Sequence, residues 1–358
     1  MSDVEGQLKP LVWIDVCNSP HVLFFRPIVN ELQKKDIGVF LTAQDFGQTI
    51  ALLNLWKLPF VSVGARTGRS LFSKALVTLW RAQGLVKVIR SCAPLVLVSH
   101  GSRSAVIAAR LLGIPSVTID DYEHSFTSIN NRLSRLLLFP SYISDQALKD
   151  CGVPLSKVRH YPGFKEEVYL AEFRPVKLID LGELGVQKEH IVVLLRPPAT
   201  TAHYHRPETS RLFESVVKFL AEKEGLSIIV LAQNESQRNE LSTMLKGKSR
   251  FVVSDQVFDG LSLFSSVDVM IGGGGTMNRE AALLGIPTYS FFMSVRPAVD
   301  IALAQQGKLK YLSSELDVAQ IELRKRPPPK ERTVSRAGLD FIVSEIVTSL
   351  RLRDRVIQ

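Results

Sequence analysis

Short apolar runs and amphipathic stretches take turns along almost the whole chain, which predicts strands and helices in alternation. In the first half LVWIDV (Leu11 to Val16), IGVFLTA (Ile37 to Ala43), PFVSV (Pro59 to Val63), PLVLVS (Pro94 to Ser99) and SVTID (Ser116 to Asp120) read as strands, followed by LLLFP and VRHYPG. Between the first two, VLFFRPIVNELQKK carries its apolar positions on one helical face. With Pro27 in the first turn, Pro20 and His21 are left on a long loop at the carboxyl end of the first strand. A further helix is expected near Phe46 to Leu55, and the polar, glycine-containing stretch Gly64 to Ser70 reads as a mobile loop. A second series runs from HIVVLLR through SIIVLAQ (Ser227 to Gln233), RFVVS (Arg250 to Ser254), VDVMI (Val267 to Ile271) and PTYSFF to LKYLSS. Phe164 to His190 is irregular and charged and reads as a connection, and KRPPPKER (Lys325 to Arg332) cannot form a regular element. Val334 to Arg353 has helical spacing and is placed back on the first half. The chain thus divides into a first domain of residues 1–165 with the C-terminal helix 334–358, a connection 166–188, and a second domain 189–325. Strands alternating with helices in both halves predict the α/β class with parallel sheets.

The halves share a motif. LGIP occurs at Leu112 to Pro115 and again at Leu284 to Pro287, each time after an apolar strand, a glycine loop and a helix. Gly101 to Gly113 spans the same twelve positions as Gly273 to Gly285. Gly113 and Gly285 suit the residue just past a helix end, where left-handed backbone is required. In this register Ser102 and Arg103 stand where the second half has Gly274 and Gly275, and Ala108 where it has Glu280.

The second copy carries the stronger chemical signal. An apolar run meets four glycines, then Thr276 as the expected N-cap, then an amphipathic helix with Glu280 about one turn in. Free N–H groups in a positive dipole field beside permissive backbone make such a junction a pyrophosphate cradle, and a carboxylate one turn on can accept from both ribose hydroxyls. A glycine-rich turn also serves as a plain structural turn, and an early Glu answers the helix dipole. Arg196 ends another strand, before a loop with Thr200, Thr201, His203 and His205, so phosphate contact by Arg196 and the hydroxyls is expected there. Two histidines without a close carboxylate or cysteine partner do not make a metal site. In the first half, DYEHS (Asp121 to Ser125) directly after a strand offers acid/base and hydroxyl-binding groups, or helix caps.

Composition narrows the classes. With 358 residues, 46% of them apolar, the chain has material for two cores. No apolar run approaches the roughly 20 residues of a membrane span, and the polar start is not a signal peptide, so a cytoplasmic location is expected. Cys17, Cys92 and Cys151 are far apart and read as free thiols, and no metal is expected. The net charge of +9 is uneven: between Asp45 and Asp120 there is no acidic residue and there are nine basic ones. Such a block attracts a phosphorylated substrate or an anionic membrane surface, whereas nucleic acid has no accompanying motif. Within it, SLFSKALVTLWRAQGLVKVIRSC interleaves Leu71, Phe72, Leu76, Leu79 and Trp80 with Lys74, Arg81 and Lys87. It reads as a basic amphipathic helix at a membrane or, more commonly for such patterns, as a helix packed on its own sheet.

Two α/β halves, the glycine loop with Glu280 and a C-terminal helix after a proline linker together resemble the GT-B fold, two Rossmann-like domains whose parallel sheets face an interdomain cleft. IDVCNSPHVLFFRPIV, FLTAQDFGQT, GFKEEVYLAEFRP and GGGGTMNREAALLGIP are similar, over most of the chain, to a GT-B-like family of archaea and bacteria known only as a domain of unknown function. Non-hydrolysing UDP-N-acetylglucosamine 2-epimerases share prolines spaced as Pro20 and Pro27, a His-Gly loop as at His100 and Gly101, and an acid matching Asp120. The chain departs from them at Ser102, where they have Asp, and at Ser19, where they have Arg, which removes a carboxylate and a cation. Lipid-linked N-acetylglucosaminyl transferases bind UDP through a small-residue loop and a Glu matching Glu280, and carry a basic, apolar patch on the first domain. The resemblance implies a metal-independent glycosyltransferase with a UDP-sugar donor, no cofactor, an anionic or lipid-linked acceptor, and contact at the membrane periphery. Gly273, Gly274, Gly275 and Thr276 would hold the pyrophosphate, Glu280 the ribose and Arg196 the leaving diphosphate. His21 or Asp120 would act as base, and Asn18, Ser19, His100 and Arg103 would contact substrate. An epimerase and a non-catalytic nucleotide-sugar binder are the alternatives.

Overall fold

The computed structural model describes residues 9–65, 71–124, 128–173, 182, 185–187, 189–198, 207–254, 260–327 and 334–357. The chain forms two compact units, Met1–Glu172 with Ser335–Gln358, and Phe173–Val334. Each is built on one parallel sheet, as the alternation of apolar runs and amphipathic stretches requires. The first holds β1 (Leu11–Val16), β2 (Gly38–Asp45), β3 (Val61–Ala65), β4 (Val96–His100), β5 (Ser116–Ile119), β6 (Leu136–Pro140) and β7 (Val158–Tyr161) in the order β3-β2-β1-β4-β5-β6-β7. The second holds β8 (Ile191–Arg196), β9 (Leu226–Leu231), β10 (Phe251–Ser254), β11 (Val269–Gly272), β12 (Thr288–Ser290) and β13 (Leu309–Tyr311) in the order β10-β9-β8-β11-β12-β13.

Both orders reverse direction beside the first strand of the unit, between β1 and β4 and between β8 and β11. At such a switch point the connections leave on opposite faces, and a crevice opens at the carboxyl ends of the two strands. Central strands of this kind are buried on both faces, which is why they appear as unbroken apolar runs. In the first unit Trp13 and Leu97 pack against Ala82, Leu85, Ile89, Ala105 and Ala109. In the second, Val193, Leu195, Ile228 and Ile271 pack with Phe213 and Val216.

The repeated LGIP marks equivalent helix ends. Gly113 follows α4 (Arg103–Leu111) with φ +68° and Gly285 follows α11 (Thr276–Leu283) with φ +73°. Beyond them Ile114 N–H donates to Ala109 O (2.8 Å) and Ile286 N–H to Ala281 O (2.9 Å), closing both helices in the same way.

Several boundaries differ from those expected. The first helix, α1 (Ser19–Lys34), begins at Ser19 instead of near Pro27, so His21 is helical. The Asn18 side chain caps it by accepting from Ser19 N–H (2.9 Å), Pro20 sits in the first turn where no intrahelical donor is needed, and Pro27 is tolerated inside. Likewise Lys165–Leu170 forms a helix, α7, that packs on α1 and on the last helix, α14 (Ala337–Ile357), and so belongs to the first unit instead of to a connection. Gly64 and Ala65 close β3; residues 66–70, and 328–333 of the proline-rich run, lie outside the described residues.

Candidate functional site

Two groups of polar side chains gather at the two switch points. In the second unit Gly272 pairs in register with Arg196, so the last residues of β11 and β8 lie side by side. Gly273 N–H donates to Arg196 O (3.2 Å), and the chain then turns through Gly274 and Gly275, both at φ +93°, into α11. Gly275, at φ +93° and ψ −170°, is the N-cap; Thr276, expected in that role, is the first helical residue, and no side chain caps the helix. That backbone region is open essentially to glycine alone, and a glycine N-cap has no side chain to offer the first N–H groups of α11. A Cβ on Gly273 would stand 2.9 Å from Pro198 Cα, a backbone clash; one on Gly274 would press on the Phe292 ring at 3.0 Å from a left-handed backbone, and around Gly275 nothing comes within 4 Å.

Arg196 Nη1 donates to the carbonyl oxygens of Leu231 (2.7 Å) and Ala232 (2.9 Å), and no carboxylate among the described residues pairs with it. Burial pushes its pKa down to about 10, the direction expected of a cation that loses water without gaining a counter-charge. Under the loop, Asn278 is fully buried; its Nδ2 donates to Gly272 O (3.3 Å) while its Oδ1 has no partner. Glu280 is buried in the second turn of α11, and its neighbour Arg279 is paired with buried Asp300 (3.1 Å). Thr200, Thr201, His203 and His205 lie outside the described residues.

In the first unit the switch point holds titratable groups. His21 and His100 face each other with ring centroids 4.3 Å apart, and Phe24 meets the His100 edge at 5.6 Å. Cys17 Sγ lies 3.6 Å from His21 Nδ1. His100 Nε2 is 3.3 Å from Asp121 Oδ1, close enough for charge attraction yet outside hydrogen-bonding alignment. Lys165 Nζ completes the group at 2.6 Å from Asp121 Oδ2 and 3.7 Å from Glu166 Oε1, and all five of His21, His100, Asp121, Lys165 and Glu166 are buried. Burial, with His100 and Lys165 close by, holds the His21 pKa well below the usual 6.5, so this imidazole is neutral at pH 7.

The other expected residues make contacts of their own. Asp120 is buried and its Oδ1 accepts from the backbone N–H groups of Asp121 (2.9 Å) and Tyr122 (3.3 Å), which shapes the loop after β5. Asn18 caps α1, Ser19 Oγ accepts from Gln48 N–H (2.9 Å), and Arg103 opens α4 with its side chain exposed. Ser102 caps α4 and donates to Asp15 Oδ2 (2.5 Å). Asp15, with no exposed surface, forms a bidentate pair with Arg81, at 2.7 and 2.9 Å. Lys165, Glu166 and the Asp15–Arg81 pair carry no mark in the sequence as site residues; the one available signal for α7 is Glu167 three positions after Phe164, whose N–H it accepts (2.8 Å), followed by Val168, Tyr169 and Leu170.

This architecture is similar to that of several solved proteins. A putative UDP-N-acetylglucosamine 2-epimerase of Listeria monocytogenes superposes with a TM-score of 0.74 at 15% identity, covering 97% of this chain and 98% of that one. S. aureus MnaA in its structure with UDP gives 0.75 at 14% identity, with 96% and 97% covered. The glycotransferase of kitacinnamycin gives 0.54 at 13% identity, with 97% and 96% covered. These likenesses establish the fold as GT-B-like, with two Rossmann-like halves. In sequence, the uncharacterized protein MJ0665 of Methanocaldococcus jannaschii is 26% identical over 310 residues, covering 83% of this chain and 86% of its own length. The model of a family described as a protein of unknown function (DUF354) matches residues 10–327, and the chain therefore belongs to that family.

Proposed function

We propose that the protein is a nucleotide-sugar enzyme, with the nucleotide diphosphate on the glycine loop of the second unit and the acid/base chemistry at the histidine cluster of the first. The observation that carries this reading is the meeting of Arg196 with the glycine turn at a switch point: a cation that no carboxylate among the described residues pairs with, beside a helix start whose N-cap is a glycine. An anion placed there would answer both at once. Glu280, one turn into the helix, takes the ribose hydroxyls in this reading, and Arg196 balances the charge that develops on a leaving diphosphate.

Of the two candidate bases, His21 suits the task better than Asp120. Its ring is neutral and faces a second imidazole, whereas the Asp120 carboxylate is engaged by two backbone donors of its own loop. His21 then removes the proton from an acceptor hydroxyl, and Asp121 with Lys165 orients His100 and the groups around it. This is glycosyl transfer from a UDP-sugar, without a metal. A second reading, epimerisation of the sugar nucleotide, is favoured by the histidines and carboxylates gathered at one switch point and by the epimerase names of the structural neighbours. Product analysis separates them. Incubation with UDP-sugars releases UDP in an acceptor-dependent manner if the protein transfers, and yields a mass-neutral isomer without acceptor if it epimerises; neither product leaves only a binder.

A further inference from the structure

Beyond the nucleotide chemistry, helix α3 (Leu71–Ile89) has two faces that face different environments. Ala82, Leu85 and Ile89 are buried in the first unit's core, and Arg81 is held inside by Asp15. At about 100° per residue, the opposite side of the helix gathers Leu76, Leu79, Trp80, Lys87 and the following Arg90 within a single stripe. All five are exposed, and the apolar three markedly so: Leu76 43%, Leu79 55% and Trp80 78%. A helix that served only its own core would place water-compatible side chains there. The commoner packing role is thus fulfilled by one face and leaves the other unexplained.

We propose that this outer face of α3 docks on an anionic phospholipid bilayer, with Leu76, Leu79 and Trp80 entering the interface and Lys87 and Arg90 meeting the head groups. Three observations select this occupant. The stripe joins large apolar side chains to cations at its carboxyl end, the arrangement of helices that lie in a membrane surface. The surrounding sequence from residue 46 to residue 119 contains no acidic side chain and, besides Arg81, which is buried against Asp15, eight basic ones, a charge complement to anionic lipid. A second copy of the chain would bring the same positive stretch against itself in an isologous contact and be repelled. Among the described residues no helix is long and apolar enough to cross a membrane, so the contact is peripheral.

The test is co-sedimentation of the full chain with vesicles of phosphatidylcholine alone and of equimolar phosphatidylcholine and phosphatidylglycerol. The expected result is binding to the anionic vesicles only, weakened by salt. Lys87→Gln with Arg90→Gln should lower the partition by about thirty-fold, from about fivefold per basic residue near the surface, and Leu79→Ser with Trp80→Ser by about tenfold or more. All four positions are exposed, so the variants should keep the melting temperature and the nucleotide affinity of the parent. No partition, equal partition into both vesicle types, or variants that bind like the parent would overturn the proposal. So would a concentration-dependent dimer, seen by analytical ultracentrifugation, that the Leu79→Ser, Trp80→Ser variant abolishes. Nucleotide titration of the same preparations keeps this outcome separate from the fate of the proposed donor site.

Discussion

Replacing Arg81 by methionine removes the cation from a carboxylate that water does not reach. Asp15 has no exposed surface and Arg81 only 4%, and two charge-assisted bonds join them at 2.7 and 2.9 Å. Burial disfavours the guanidinium charge, but the Asp15 charge and hydrogen bonds outweigh it and hold the Arg81 pKa above its usual value. In the variant Asp15 keeps only the hydroxyl donors of Thr42 (2.6 Å) and Ser102 (2.5 Å), and Val63 O and Ser104 lose the donors Arg81 gave them. Breaking one side of a buried pair costs about 3–5 kcal/mol. Adding Asp15→Asn neutralises the stranded charge, so the double variant should recover about 1–3 kcal/mol relative to additivity. The assay is urea unfolding followed by tryptophan emission. All three tryptophans, Trp13, Trp56 and Trp80, lie in the first unit, so the signal reports that unit alone. A loss below about 1 kcal/mol for Arg81→Met, the value of an exposed pair, or strict additivity in the cycle, would refute the reasoning.

Other consequences can be measured separately. Gly275→Ala meets no neighbour and should cost about 1–3 kcal/mol from backbone strain alone, whereas Gly273→Ala carries no such strain but must displace the Pro198 backbone; calorimetry should show a loss of stability for both. Arg196→Met should weaken nucleoside diphosphate binding by about 10- to 150-fold, the loss of a charge-assisted hydrogen bond, with Arg196→Lys intermediate because it keeps the charge but not the fork. His21 is buried neutral, so below pH 6.5 the unfolded chain takes up a proton that the folded one refuses. Stability contributed by this group is therefore complete above pH 6.5 and falls on acidification at up to about 1.4 kcal/mol per pH unit until the lowered folded pKa is reached. His21→Gln should flatten that part of the stability–pH curve, and an unchanged slope would speak against the buried neutral imidazole.

The strands were legible because a strand buried on both faces of a parallel sheet has little choice but to be apolar, as in Val96–His100 and Ile191–Arg196. The halves were legible too, since a helix ending in left-handed glycine before a proline leaves the same LGIP twice. Helix starts were harder. At α1 an interior proline suggests a first turn, yet Asn18 and Pro20 begin the helix earlier; at α11 the expected Thr276 cap gives way to Gly275, whose dihedrals suit no other residue. The second-unit site could be named from the chain because strand, glycines and helix are consecutive. The first-unit cluster could not be assembled in full, because Lys165 and Glu166 look like a solvated charge run until the fold brings them to Asp121 and His100. Ser19 and Asn18, expected as substrate contacts, also serve the ends of α2 (Thr49–Leu55) and α1, which the sequence did not indicate.

The central claim is that the glycine turn at β11 and α11, with Arg196 and Glu280, holds a nucleotide. Calorimetric titration of the full chain with UDP, GDP, ADP and CMP, repeated with Glu280→Ala and with thermal unfolding as a control for folding, tests it most directly. The account predicts selective binding of one nucleoside diphosphate, UDP, that is lost in a variant which still unfolds cooperatively. Binding of none of the four, or an affinity for UDP that Glu280→Ala leaves unchanged, would contradict it.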